Sequence, residues 1–183
     1  MSNLKIDIAT YIGKERTALN DLDMDKIESA CKILHWAISN KRTIYCFGNG
    51  GSGSTASHMA NDFNKILKAR CICLNDNIAT VMALANDISY SNIFYEQLID
   101  RIKPGDVVIG ISGSGKSFNV IKAIEYANGC GAITISLTGF DGGTLKYLTD
   151  VNLHAPIDNM QITEDVHLMF NHLIVSILSK FLS

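Results

Sequence analysis

Apolar residues fall three and four apart at the start of the chain. Ile27, Ala30, Cys31, Leu34 and Ile38 share one helical face, and the pattern predicts two helices, over residues 3–20 and 24–40. The pattern then changes to short, nearly continuous apolar runs. "TIYCFG" (43–48), "RCICLN" (70–75), "DVVIGIS" (106–112), "AITISLTG" (132–139) and "VNLHAP" (151–156) read as strands. Where a run is near-continuous, as in "DVVIGIS", it has no polar side, so both faces are expected to be covered. Helical patterns lie between them: about 55–67, then 77–101 with a break near "NDISYSN", then a segment ending near Asn128. A last helix is expected over 161–182. Strands alternating with helices predict an α/β fold with a parallel sheet. One domain over 1–183 is expected, with a helical arm (1–40) and an α/β core (41–183).

Composition narrows the function classes. With 183 residues, 47% of them hydrophobic and 19% charged, the chain can bury a sizeable core. The net charge of −2 and the lack of a basic stripe argue against nucleic acid as a partner. No apolar run reaches the ~20 residues of a membrane helix. The N-terminal residues carry charges throughout, unlike a signal peptide, so a cytoplasmic protein is expected. Cys31, Cys46, Cys71, Cys73 and Cys130 are odd in number and form no C-x-x-C pair, so reduced thiols are expected.

Two Gly/Ser segments follow strands. The second, "GISGSGKS" (110–117), fits G-x-x-x-x-G-K-[ST], the phosphate loop of nucleotide enzymes. Its setting argues against that use. It is preceded by 109 residues that already hold a similar strand–loop–helix, "CFGNGGSGSTASHMA". The strand ending "SLTG" offers no acid to manage Mg²⁺, and Asp141 in "FDGG" reads as a turn residue. Two such segments at the carboxyl ends of parallel strands instead suit one shared anion pocket.

"CFGNGGSGSTASHMANDF", "ANDISYSNIF", "GDVVIGISGSGKSFNVIKAI", "LTGFDGG" and "EDVHLMFNHLI" resemble, in that order, the phosphoheptose isomerases, which are sugar isomerase (SIS) domain proteins. The resemblance spans nearly the whole chain. It implies a single SIS-type domain with a flavodoxin-like, five-stranded parallel sheet. It also implies isomerisation of sedoheptulose 7-phosphate to a heptose 7-phosphate, a step toward nucleotide-heptose and surface polysaccharide. A homotetramer with active sites at subunit interfaces is implied too. "GISGSGKS" is similar to the family's "GISTSGNS", with Gly113 for Thr and Lys116 for Asn.

His58 and Asp62 lie four apart on one expected helix, and Glu164 and His172 eight apart on another, so each pair shares a face. Together they make a plausible N/O donor set for zinc. The family has His, Glu, Gln and His there, binding Zn²⁺ and moving protons. By resemblance Asp62 and His172 are the acid/base pair, and His58 and Glu164 complete the metal site. Asn49, Gly51, Ser52, Asp87 and Glu164 would meet the sugar, and Ser112, Gly113, Ser114 and Ser117 the phosphate. Asp62 and Glu164 depart from the family's Glu and Gln. Those departures keep open an isomerase of another sugar phosphate, and a non-catalytic relative that binds a replication initiator. Two ionisable groups at the acid/base positions favour an enzyme. Lys116 is a further candidate for the phosphate. His167 is left between a supporting role at the site and core packing.

Overall fold

A computed structural model describes residues 3–182. Five strands form one parallel sheet in the order β2-β1-β3-β4-β5: β1 Thr43–Gly48, β2 Arg70–Cys73, β3 Val107–Ser112, β4 Ile133–Thr138 and β5 Val151–His154. The order reverses between β1 and β3, which pair from Ile44↔Val107 to Gly48↔Ile111. A crevice opens at such a switch point beyond the carboxyl ends of the strands.

Alternate residues of β1 and β3 feed two cores. Ile44, Cys46, Val107, Ile109 and Ile111 face one layer, which includes α1 (Leu4–Asn20), α2 (Met24–Ser39), α3 (Gly51–Lys65) and α8 (Met160–Leu178). Tyr45, Phe47 and Val108 face the other. That layer draws on α5 (Tyr95–Leu98), α6 (Phe118–Gly129) and α7 (Leu145–Leu148), with α4 (Ile78–Asp87) at its margin. This double burial is why β1 and β3 read as unbroken apolar runs, whereas edge strand β2 leaves Arg70 and Ile72 exposed and β4 alternates its apolar residues with buried Thr134, Ser136 and Thr138. The expected helical arm divides. α2 buries Ile27, Ala30, Cys31, Leu34 and Ala37, whereas α1 buries only Ala18 and packs on α8. No disulfide joins the five cysteines, four of which are buried.

Two local features depart from the expectation. α3 begins at Gly51, not near Thr55, because the Gly/Ser run is the first turn of the helix and not a loop before it. Gly50 at its cap has φ +54°, a turn that glycine adopts without strain. α7, a single turn, is too short for the periodicity to reveal.

His167 belongs to the core. It is fully buried, and neither ring nitrogen has a hydrogen-bond partner among the described residues. Burial drives its pKa down to about 4 from an ordinary 6.5, so the ring is neutral at pH 7. The unfolded chain therefore takes up the proton first on acidification. Stability is fully present above about pH 6.5 and falls as the pH drops toward 4. The gap between those two values bounds that loss at about 3 kcal/mol. In a chemical-denaturation series from pH 7 to 4, His167→Leu is expected to show a visibly shallower decline than wild type. Equal slopes would remove His167 as a source of the acid sensitivity.

Candidate active site

The crevice between β1 and β3 holds a pocket of about 280 Å³, lined by Asn49–Ser52, Ile111–Ser114, Ser117, Met160 and Glu164. Its walls are the ends of two strands and the first turns of the helices that follow them. Neither α3 nor α6 has a side-chain cap at its start. Their first-turn N–H groups and the positive ends of their dipoles are thus turned to this crevice, as an anion site requires. Ser112 Oγ donates to Ser117 Oγ at 3.0 Å, and Ser114 Oγ accepts from the Lys116 backbone at 3.2 Å, so the three hydroxyls are fixed around the loop.

The first segment is clamped from two sides. The Asn75 amide takes both backbone groups of Gly48, donating to its carbonyl at 2.8 Å and accepting from its N–H at 3.2 Å. Asn49 forms a reciprocal amide pair with Asn119, 2.9 Å in each direction, and its Oδ1 also accepts from the Tyr90 hydroxyl at 2.8 Å. Asn119 and Tyr90 were not among the expected site residues. Nothing in their local pattern marks them, since their roles depend on Asn49, 70 and 41 residues away. Met160 is a third such residue. Its Sδ lies where a Cβ on residue 113 would come within 2.6 Å, so its thioether fills the side of the pocket that Gly113 leaves open.

A cluster of donors stands where α3 meets α8. His58 Nε2 lies 3.1 Å from Asp62 Oδ2 and 3.1 Å from His172 Nε2, and His172 Nε2 is 4.0 Å from Asp62 Oδ2. Asp62 is largely buried, its side chain 14% exposed, while the imidazoles are open at 46% and 55%. Two imidazole nitrogens and a carboxylate oxygen, all within 4.8 Å of one another, are a donor set suited to zinc. Two ring nitrogens facing each other at 3.1 Å is also an arrangement that a shared cation would satisfy.

Other expected residues take different places. Glu164 lies outside that three-donor cluster. Its carboxylate sits over Gly51 in the Gly/Ser pocket, in the space a Cβ at 51 would occupy. Asp87 ends α4, exposed, accepting from the Asn86 amide at 2.8 Å, and is not among the residues lining the pocket. Lys116 turns away from the pocket to pair with Asp141 at 2.8 Å, and this ammonium holds the Asp141 carboxyl below its ordinary range. A lysine reaching over a nucleotide's phosphates is not what the "GKS" sequence forms here.

The SIS domain family model matches residues 10–139. The chain is 35% identical to a probable phosphoheptose isomerase of Thermoplasma acidophilum, covering 96% of this chain and 99% of that protein. It is also 35% identical to the phosphoheptose isomerase of Aliarcobacter butzleri, covering 96% and 97%. Phosphoheptose isomerase GmhA from Neisseria gonorrhoeae superposes with a TM-score of 0.91 at 25% identity, over 97% of this chain and all of that one.

Proposed function

The chain belongs to the SIS-domain family and, within it, to the phosphoheptose isomerases, and from that premise we propose that it converts sedoheptulose 7-phosphate to D-glycero-D-manno-heptose 7-phosphate. The observation that carries this reading is that an anion pocket at two helix N-termini and a His–Asp–His cluster are both built on the same two helices, α3 and α8. A non-catalytic role would not call for ionisable groups gathered on the two helices that also line such a pocket.

The phosphate is assigned to Ser112, Ser114, Ser117 and the backbone around Gly113, and the sugar chain to Asn49, Gly51, Ser52 and Glu164. Asp87, exposed at the end of α4, is kept in that set by resemblance alone. His58, Asp62 and His172 would hold Zn²⁺; Glu164, whose carboxylate lies over Gly51, would have to turn from that pocket to serve as a fourth donor. Bound there, the ion supplies positive charge that polarises the sugar carbonyl and offsets negative charge on its oxygens.

The proton work falls to the protein. Asp62 takes a proton from C1 of the open-chain ketose as the C1–C2 double bond forms, and His172 gives a proton to O2 from the ring nitrogen not turned to the ion. The product of this half is the neutral enediol. In the second half the Asp62 carboxyl returns its proton to C2, His172 takes the proton from O1, and the C1 carbonyl forms. Each group ends in the state in which it began.

Assembly fits the same reading. Leu4, Ile8 and Ile12 lie four apart on α1 and are 64%, 59% and 49% exposed, an apolar stripe that a second copy would cover. We assign that second copy to a homotetramer. We assign the protein to the cytoplasm, with no membrane partner; none of the helices among the described residues is long and apolar enough to cross a bilayer.

Titration calorimetry tests the ligand class. Sedoheptulose 7-phosphate is expected to bind, and Lys116→Ala to bind it within about twofold of wild type, since that ammonium is engaged by Asp141. Micromolar binding of ATP·Mg²⁺, abolished by Lys116→Ala, would overturn the assignment. Metal analysis tests the donor set: His58→Ala and His172→Ala should each lose bound zinc, and wild-type occupancy in both would put the metal elsewhere.

A further inference from the structure

One face of α8 carries a row of polar residues into the core. Thr163, His167 and Asn171 are spaced four apart and are all fully buried. Each has a buried polar atom without a partner: Thr163 Oγ1, both ring nitrogens of His167, and Asn171 Oδ1. Such atoms weigh against folding, and an apolar residue of similar size at these positions would serve packing as well or better. Asn171 differs from the other two in having one strong hydrogen bond. Its Nδ2 donates to Asp62 Oδ2 at 2.9 Å, across the contact between α8 and α3.

We propose that Asn171 is a positioning residue that fixes the Asp62 carboxylate against His58 and His172. This rests on the reading of Asp62 as ligand and base. Oδ2 is the oxygen that both imidazoles face, so the amide sets the rotation of the carboxylate at the atom that matters. The geometry explains why a short side chain serves here. A carboxylate one methylene shorter than Glu stays closer to its own helix, and Asn171 reaches it from the facing helix. Because Asn171 immediately precedes His172, a single stretch of α8 both supplies a donor and aims its partner. Neighbours that hold metal-ligating side chains typically change metal affinity or activity by about 10–100-fold when removed.

The test uses the full-length protein with Asn171→Leu, close in size and apolar, and Asn171→Ala as a second variant should leucine disturb the fold. Zinc affinity is read by competition with a chelating dye, stability by thermal melting, and kcat and KM with sedoheptulose 7-phosphate. Asn171→Leu should melt at or above the wild-type temperature yet bind zinc about tenfold or more weakly. Its kcat should fall by a similar factor with KM within about twofold, since Asn171 is not part of the pocket lining. In an Asp62→Asn background the same substitution should add no further loss, because the two act as one unit. Zinc affinity and kcat within twofold of wild type in both variants would overturn the proposal, as would additive losses in the double variant. If wild type binds zinc but does not turn over this sugar, the reading of the substrate fails while the zinc comparison still decides the role of Asn171. A wild type that does neither overturns both.

Discussion

Asp62→Asn should fold and bind sugar phosphate like wild type and lose roughly 10²–10⁴-fold in turnover, the usual contribution of a positioned acid or base. An amide has nearly the size of the carboxylate but cannot accept the proton. The substitution leaves the helix intact, because α3 is anchored by Met59 and Phe63, buried on either side of residue 62. The phosphate pocket is built from other residues, so binding is expected to survive. Asp62→Glu should also be slower than wild type, although it restores the residue common in the resembled family. The added methylene moves the carboxylate by about 1.5 Å. It would push Oδ2's counterpart off the Asn171 amide and into the two imidazoles, each within 4.0 Å of that oxygen now. Misplacement of about 1 Å can cost on the order of a hundredfold in rate. Steady-state kinetics decide both. Wild-type turnover by Asp62→Asn removes the residue from the mechanism, and faster turnover by Asp62→Glu marks a site that has lost its tuning.

Gly115→Ala should remove sugar-phosphate binding and lower the melting temperature by roughly 5–15 °C. Two causes add. Gly115 has φ +64°, a left-handed conformation that costs a side-chain-bearing residue about 1–3 kcal/mol. A Cβ there would also run into the carbonyl oxygen of Gly142, which is backbone and cannot swing aside. The loop after β3 leans on the "FDGG" turn at this point, with the Leu145 N–H donating to the Gly115 carbonyl at 3.2 Å. Relief requires the two loops to separate, and one of them carries Ser114 and Ser117. A total of about 2–4 kcal/mol, at about 2–4 °C per kcal/mol for a chain of this size, gives the stated range. Melting within 2 °C of wild type with intact binding would show the two loops to be freer than their contact implies.

The fold was legible because burial on both faces writes itself into β1 and β3 as uninterrupted apolar runs, and because α2, α6 and α8 keep helical periodicity. His58 and Asp62 could be paired from spacing alone, since four residues is one helical step. The meeting of that pair with His172 depends on α3 packing against α8 across 110 residues of chain, and came from resemblance and not from periodicity. The Gly/Ser segment at 51–54 misled as to the start of α3, because small residues that end helices elsewhere here let α3 approach β1 and Glu164. Lys116 shows the same limit. The "GKS" triplet is a phosphate signature in isolation, but Asp141, 25 residues on, takes its charge. Tyr90, Asn119, Met160 and Asn171 carry no local signal, and each acts through a partner that only the tertiary fold supplies.

The central claim is that this pocket and this His–Asp–His cluster isomerise a seven-carbon ketose phosphate by proton transfer. The most direct measurement is NMR of sedoheptulose 7-phosphate incubated with the purified protein and Zn²⁺ in D₂O. Aldose anomeric signals of a heptose 7-phosphate should appear, with deuterium at C2, since a proton held on Asp62 between the two carbons can exchange with solvent. A folded, zinc-loaded protein that leaves the ketose spectrum unchanged and unlabelled would contradict it.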